Sequence, residues 1–308
     1  MNQNAVSAGR SSAASPPRPP LTFRIGVVGH RPNRLESADL SGLARQLREV
    51  VRAVHDEVLD QHQAHRELYD DSAPIVRVLS PLAEGVNRNF AEQALAERCD
   101  LTVVLPFHLE EFEKDFAPGV ALESDSLNRF HMILSQSSTV FQLDGSRSDK
   151  SLAYRVAEDV VLNQSDILIV VWDGERQNKR AGTEDTFDDA VQRGVPIVWI
   201  DAHAPHHWRI VTQPIRLLEE IRPGVRAALT RSHETKEIRR QVQRLIEVPH
   251  TAARKVSHVR RNEPYQSALL QRYYWERKPW LNFAFVWKIF RTAVGDGRLH
   301  RAQLGVKD

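Results

Sequence analysis

Glycine and charged residues follow three apolar segments of the chain, where together they could hold an anionic ligand. These three groups are Gly29–Arg31, Ser80–Arg88 and Asp173–Thr183. Glycine lets a backbone approach a ligand closely, amide groups at a helix start favour negative charge, and arginine adds charge-assisted hydrogen bonds. We therefore predict a binding site for a phosphate-bearing ligand that is formed by Gly29, His30, Arg31, Ser80, Glu84, Gly85, Arg88, Asp173, Gly174, Gly182 and Thr183.

The group Ser80–Arg88 leads directly into a predicted helix that begins at about Val86. Its small residues and Gly85 would present free N–H groups and the positive end of the helix dipole to an anion. It is not a P-loop, because the pattern GxxxxGK[ST] is absent. The alternative is an ordinary turn between a strand and a helix, with Ser80 as a local cap.

Thr183, in the third group, is predicted to cap a later helix that ends at Arg193.

Carboxylates in these groups could perform acid–base or nucleophilic chemistry, and the candidates are Glu84, Asp173 and Glu175. Asp144 follows another apolar segment and could contact a ribose hydroxyl or Mg²⁺, although Asp-Gly is also a common turn sequence. We predict no metal site, because no nearby Cys or Glu completes the group His203, His206 and His207. No cofactor is predicted apart from a nucleotide-type ligand, with Mg²⁺ as an open option.

Six apolar segments between residues 23 and 201 are predicted to be strands: FRIGVVG, IVRVLS, LTVVLPF, TVFQL, DILIVVW and VPIVWID. Most are continuous rather than alternating, which is typical of strands buried on both faces of a parallel sheet. Apolar residues at helical spacing predict helices over residues 38–62, 86–98, about 124–135, 151–164 and 184–193. Alternating strands and helices predict a Rossmann-like α/β fold with helices on both faces of the sheet. Ligands of such sheets bind beyond the carboxyl ends of the strands, where the three groups lie.

Composition divides the chain into three parts. Residues 1–21 are rich in Ser, Ala and Pro, lack the apolar run of a signal peptide and are predicted to be a disordered tail. Residues 22–204 form the predicted α/β domain, and residues 205–308 form a basic, mainly helical extension. The single cysteine, Cys99, excludes an internal disulfide framework and fits a cytoplasmic protein. No stretch of about 18 apolar residues exists that would predict a membrane-spanning helix.

Charge is distributed unevenly along the chain. Residues 203–308 hold 21 of the 42 Lys and Arg residues but 9 of the 40 Asp and Glu residues, so they carry about +12 and the remainder about −10. Residues 270–291 combine basic residues with Tyr273, Tyr274, Trp275, Trp280, Phe283, Phe285, Trp287 and Phe290. This composition suits a membrane surface or an effector protein, and the alternative is that the aromatic residues pack onto the α/β domain.

The order of the motifs over residues 22–202 resembles that of the SLOG superfamily. The motifs are GHRP, SPLAEG before a helix, SDILIVVWDGE, AGT and GVPIVWID. This superfamily includes DprA-like and lonely-guy-like Rossmannoid proteins, and nucleotide-sensing modules of bacterial defence systems. The stretch WDGE…AGT also looks like the matching region of nucleoside deoxyribosyltransferases. The resemblance implies a Rossmann-like fold and a nucleotide-derived ligand.

One position departs from the enzymes of this resemblance. Lonely-guy phosphoribohydrolases and deoxyribosyltransferases carry a catalytic glutamate three residues after the Thr of their Gly-Thr motif. Here that position is Thr186, which cannot act as a carboxylate nucleophile or as a charge beside an oxocarbenium-like centre. The departure argues for binding rather than for base cleavage.

Three functions follow as hypotheses. The first is a sensor that binds a nucleotide or nucleotide-derived signal and relays its occupancy through the C-terminal region to a partner or membrane effector, as in bacterial defence; a homo-oligomer is an open option. The second is an enzyme that cleaves an N-glycosidic bond of a nucleotide with a carboxylate supplied from elsewhere. The third is a DNA-associated protein of the DprA kind, which the acidic α/β part disfavours. The first implies a cytoplasmic protein, with contact at the membrane periphery as an option.

Overall fold

A computed structural model describes residues 17–176, 182–212 and 234–247 of the chain. Within these ranges a seven-stranded sheet is surrounded by helices. The strands are β1 (Thr22–Gly29), β2 (Ile75–Ser80), β3 (Asp100–Leu105), β4 (Thr139–Gln142), β5 (Ile167–Val171), β6 (Ile197–Ile200) and β7 (Trp208–Val211). The helices are α1 (Leu40–Ala64), α2 (Val86–Ala96), α3 (Leu109–Glu113), α4 (Ser126–Leu134), α5 (Lys150–Gln164), α6 (Thr183–Arg193) and α7 (Thr235–Ile246).

The strand order across the sheet is β4-β3-β2-β1-β5-β6-β7. The first six strands in the chain pair in parallel, and β7 pairs with β6 in the antiparallel sense. The chain builds the sheet outward from β1 to β4 and then returns to add β5 on the other side of β1. This reversal makes the carboxyl ends of β1 and β5 a topological switch point, the position at which open α/β sheets generally bind ligands. The predicted Rossmann-like α/β fold is confirmed.

Both faces of the sheet are buried, which explains the continuous apolar runs of the strands. All five residues of β5 are buried. Ile25 and Val27 of β1 face a core that includes residues of α1, α2 and α7, whereas Val28 faces a second core with residues of α5 and α6. Because helices cover both faces, polar residues are excluded from most positions of the central strands.

The sheet and its helices continue beyond residue 204, the boundary that composition suggested. Strand β7 extends the sheet through its pairing with β6, and α7 packs against α1 through the buried side chains of Ile238 and Val242. Residues 1–16 of the predicted tail and the segment 270–291 lie outside the described residues. Within the described ranges, none of the helices has the length and apolar character needed to cross a bilayer.

Candidate functional site

The ends of β1 and β5 are joined by a polar contact at the switch point. The backbone N–H of His30 donates to the carbonyl oxygen of Val171 at 3.3 Å. The His30 ring, which is 4% exposed, places Nε2 at 3.1 Å from Oδ2 of Asp173 and at 3.2 Å from the Asp173 amide nitrogen. Arg34, in the 3-10 turn Pro32–Arg34, donates from Nη2 to the same Oδ2 at 2.5 Å. Two predicted site residues, His30 and Asp173, are thus in direct contact.

The environment of Asp173 keeps its carboxylate ionised. Burial alone would raise the pKa of Asp173, but the hydrogen bonds from His30 and from the Glu175 amide, with the charges of His30 and Arg34, outweigh it and hold the pKa well below its ordinary value. A carboxylate with a strongly lowered pKa is a weak proton acceptor near neutral pH. Asp173 is therefore placed to anchor the two strand ends rather than to move a proton.

Two glycines allow the turn after β2 to lie directly against the end of β1. Gly85 has φ +89°, and a Cβ there would lie 2.6 Å from the carbonyl oxygen of His30. A Cβ on Gly29 would lie 2.6 Å from the Val86 side chain. The amide of Val86 donates to the His30 carbonyl at 3.2 Å, and the Gly85 amide donates to Glu123 at 2.9 Å. These close approaches are between parts of the protein, which is a structural reason for both glycines.

Ser80 and Glu84 hold the turn after β2 and a neighbouring loop. The Ser80 hydroxyl donates to the Asn87 carbonyl at 3.0 Å and accepts from the Leu82 amide at 3.2 Å, as expected of a local cap. The Glu84 carboxylate accepts from the Ser126 hydroxyl at 2.6 Å and, at 3.1 Å each, from two loop amides, those of Leu122 and Glu123. Both oxygens of Glu84 are therefore engaged within the protein.

Arg88 is enclosed in the same region, with a side chain that is fully buried. Its Nε donates to the Leu82 carbonyl at 3.0 Å, and its Nη1 donates to the carbonyl and the hydroxyl of Ser126 at 2.9 and 2.8 Å. The guanidinium lies 4.1 Å from the centre of the Phe116 ring. Burial lowers the pKa of Arg88 to about 10, although the charge of Glu123 opposes this shift. These contacts give Arg88 a structural role beside the ligand role predicted for it.

The third predicted group, Asp173–Thr183, is more exposed than the turn after β2. Gly174 has φ +76°, and the amide of Glu175 donates to Asp173 Oδ1 at 2.9 Å, which closes a tight turn after β5. The side chain of Glu175 is 56% exposed. Gly182, with φ +150°, occupies the N-cap position of α6, so Thr183 is the first helical residue rather than the cap. The extended region of positive φ at Gly182 favours glycine, and Ala181 before it lies outside the described residues.

Arg31 extends from the end of β1 over the first half of α5. Its guanidinium carbon lies 4.5 Å from the centre of the Tyr154 ring, and its side chain is half-buried. Tyr154 is fixed in turn by a 2.5 Å hydrogen bond to Asp115. Burial raises the pKa of Tyr154 to about 12, so the hydroxyl keeps its proton and donates to Asp115. A cation at the switch point is thus held on a rigid aromatic support.

Thr186 contacts Glu158, a residue that was not among the predicted site residues. The Thr186 hydroxyl, on buried Thr186 of α6, donates to Oε2 of Glu158 at 2.7 Å. Glu158 lies on α5, one helical turn after Tyr154, and feels the charge of Arg31. A carboxylate therefore stands beside position 186, although it is supplied by another helix. No sequence pattern in α5 distinguishes Glu158 from a solvent-facing glutamate.

The other polar candidates are Asp144 and the three histidines His203, His206 and His207. The side chain of Asp144 is exposed. His203 Nδ1 lies 3.2 Å from the Ser37 hydroxyl, and the rings of His206 and His207 are 4.0 Å apart. Across the described ranges, no group of three or more His, Cys, Asp or Glu residues has the arrangement of a metal site.

Comparison with known proteins gives little further information. No protein-family model matches this chain, and no curated protein matches it. Among solved structures, the X-ray structure of DNA processing protein A (DprA) from Streptococcus pneumoniae is similar, with 17% sequence identity and a TM-score of 0.38. The match covers 65% of this chain and 62% of that chain, so this chain spans less than two thirds of that protein's length. A likeness of this size transfers no function, and membership of the SLOG superfamily stays a prediction.

Proposed function

We propose that this protein binds a nucleotide or a nucleotide-derived signal in the crevice between the carboxyl ends of β1 and β5. The observation that carries the proposal is the convergence of the three predicted groups on the adjacent strands β2, β1 and β5. His30 contacts Asp173, and Gly85 contacts the His30 backbone, so the three groups are joined by direct contacts at the switch point. Switch points of open α/β sheets are where such ligands bind.

Arg31 is the residue that we assign to the phosphate. It is the cationic side chain that is half-buried at the end of β1, and its support on Tyr154 limits the conformational freedom that binding would remove. Gly182 and Thr183 would add backbone groups at the start of α6, and Gly174 would add one from the turn after β5. Glu184 and Asp185 in the first turn of α6 are paired with Arg176 and Arg155, which reduces their repulsion of an anion.

The sensor role extends this proposal to the C-terminal region. In a sensor, ligand occupancy would alter the partner or membrane contacts of the basic segment 205–308, including residues 270–291. The support for this step is the charge and aromatic composition of that region. A cytoplasmic location and a part in bacterial defence belong to the same proposal.

The alternative is an enzyme that cleaves an N-glycosidic bond, and the three carboxylates named for it have unequal environments. Glu84 is fully engaged by loop donors, and Asp173 is held as a weak base. Glu175 is exposed and turned toward Arg34 at 3.9 Å. The binding function therefore fits the geometry better. After long incubation with the protein, AMP should still be intact when the mixture is analysed by chromatography. Release of free adenine by the wild type, and its loss in the variant Glu175→Gln, would establish the enzyme instead.

Calorimetry tests the binding proposal directly. Titrations with nucleoside monophosphates, cyclic nucleotides and ADP-ribose should give saturable heat with at least one of them. Replacing Arg31→Ala removes one charge-assisted hydrogen-bond partner, so the Kd of that ligand should rise about 10- to 100-fold. Arg45→Ala removes the same charge from the exposed side of α1 and should leave the Kd unchanged. Absence of heat with the entire panel would refute the proposed function.

A further inference from the structure

Glu158 is a carboxylate that the fold places between α5 and α6, within range of the charge of Arg31. It follows Tyr154 by four residues on α5, so the two side chains lie on the same face of the helix. Tyr154 supports the Arg31 guanidinium from this face, and Thr186 at the start of α6 contacts Glu158 from the other side. Glu158 therefore lies between α5 and α6 and shares the helix face that supports Arg31, the residue proposed to bind phosphate.

The Glu158 carboxylate is partly shielded from solvent. Burial raises the pKa of Glu158, and the opposing contributions are, in order, the Thr186 hydrogen bond and the charges of Arg31 and Arg155. Arg155 itself is committed to α6, with ion pairs to Asp185 at 3.2 Å and Asp189 at 2.6 Å. Among the residues that the structure describes, none forms an ion pair with Glu158.

The two carboxylate oxygens of Glu158 differ in their partners. Oε2 accepts from the Thr186 hydroxyl, whereas within the described part of the chain no donor contacts Oε1. Oε1 is therefore not enclosed by protein atoms, and it is free to accept a hydrogen bond from a bound ligand. The side chain keeps partial exposure to solvent, so a small molecule can reach it.

The charge of Glu158 determines which part of a ligand can contact its free oxygen, Oε1. An ionised carboxylate only accepts hydrogen bonds, so it attracts hydroxyl groups and repels phosphate. A nucleotide offers both groups on one molecule, a phosphate for Arg31 and ribose hydroxyls for Glu158. We propose that Glu158 is a ligand-contacting residue whose Oε1 accepts a hydrogen bond from a ribose hydroxyl, so that the site selects ribonucleotides over sugars that lack the diol. This inference rests on the proposed function.

Paired ligands test this assignment. The probes are the four ribonucleoside 5′-monophosphates and their 2′,3′-dideoxy counterparts, titrated at pH 8 into the full chain. Wild-type protein should bind at least one ribonucleotide about 10-fold more tightly than its dideoxy form, which is the contribution of one hydrogen bond to a charged group. Glu158→Ala should weaken ribonucleotide binding to the level of the dideoxy form and leave dideoxy binding within about 2-fold.

Two further variants separate a ligand contact from a loss of structure. Glu158→Gln keeps the size of the side chain and an acceptor oxygen, so it should retain part of the preference for ribose. Glu49→Ala removes a carboxylate from the exposed side of α1 and should change neither affinity. Thermal unfolding of each variant identifies any that fails to fold. If Glu158→Ala does not fold, the ribose preference of Glu158→Gln is compared with that of the wild type instead.

The outcomes also distinguish this inference from the proposed function. Equal binding of ribose and dideoxy forms by the wild type, or a ribose preference that survives in Glu158→Ala, would overturn the role of Glu158 and leave nucleotide binding intact. Failure of the wild type to bind any nucleotide in the pairs and in the wider panel would overturn both.

Discussion

Asp173 shows how a single residue can fix the geometry of the crevice. Its Oδ2 contacts His30, which follows β1, and Arg34 of the next turn. Its other oxygen, Oδ1, accepts a hydrogen bond from the Glu175 amide. The side chain is nearly fully buried, so these bonds are formed in a low-dielectric environment. An ionised group in this position stabilises the folded state only while it remains deprotonated.

Asp173→Asn should therefore destabilise the protein in a pH-dependent manner. Because the folded-state pKa of Asp173 lies below its ordinary value of 3.8, the charge of Asp173 stabilises the fold above that pH, and this stabilisation is lost as the pH falls below it. At pH 7 the variant should lose about 1–3 kcal/mol of unfolding free energy, measured by urea titration and circular dichroism. The difference from the wild type should shrink as the pH falls below 3.8.

The exposed residue Asp144 supplies the control for this measurement. Asp144→Asn removes the same charge without a buried partner and should change stability by less than about 0.5 kcal/mol at either pH. A loss for Asp173→Asn that is equally large at pH 7 and at pH 3 would show that packing, rather than ionisation, is responsible.

Residue types and spacing located part of the candidate site but not all of it. Glycines and charged residues after apolar runs correctly marked the ends of β1, β2 and β5, because chain order determines which residues follow a strand. The sequence could not show which of two arginines is accessible to a ligand. Arg88 is buried among Phe116 and loop carbonyls, whereas Arg31 is half-buried at the end of β1. Glu158 was missed because its contact with Thr186 exists only after α5 and α6 pack together.

Among the elements, the central strands were the easiest to predict and the edges the hardest. Six strands and five helices lie where the apolar patterns placed them, since burial on both faces makes a strand continuously apolar. Strand β7 was missed because only the first and last of its four residues, WRIV, are buried and it pairs only at the edge of the sheet. The five-residue helix α3 was missed because it buries only Phe112 and its other residues are mostly acidic.

The junction between the β1 end and the start of α2 contains a glycine, Gly85, whose conformation and close contacts disfavour any side chain. Gly85 combines φ +89° with ψ −127°, a conformation that L side chains avoid, and it also lies against the His30 carbonyl. Gly85→Ala should cost about 2–6 kcal/mol of unfolding free energy, the sum of backbone strain and steric overlap. Urea unfolding measures this loss, and weaker nucleotide binding should accompany it because Arg31 would move.

Gly119 provides a matched control for the backbone contribution. It has a similar φ of +84°, but a Cβ there would meet no atom within 4 Å. Gly119→Ala should therefore cost about 1–2 kcal/mol, the penalty of positive φ alone. Equal losses for the two variants would show that the approach to His30 is not under steric constraint.

At the scale of the whole molecule, the acidic and basic parts of the chain meet in the contact between α1 and α7. Arg239 of α7 donates to Glu57 of α1 at 2.9 Å and also pairs with Asp60. Ion pairs that are partly exposed contribute little, so the fully buried Ile238 and Val242 account for most of the attachment. The first part of the basic region is thus joined to the α/β domain and is continuous with its core.

Because α7 shares the core of the α/β domain, weakening it should destabilise the sheet as well. Ile238→Ala should cost about 2–5 kcal/mol through lost burial and the cavity left against α1. Hydrogen exchange, followed by mass spectrometry on peptides that cover β1 and α1, should accelerate in this variant. Arg240→Ala, at an exposed position of the same helix, should leave exchange unchanged. If faster exchange in Ile238→Ala were confined to α7 itself, the helix would be an appendage, and a signal could not pass from the crevice to the C-terminal region through this contact.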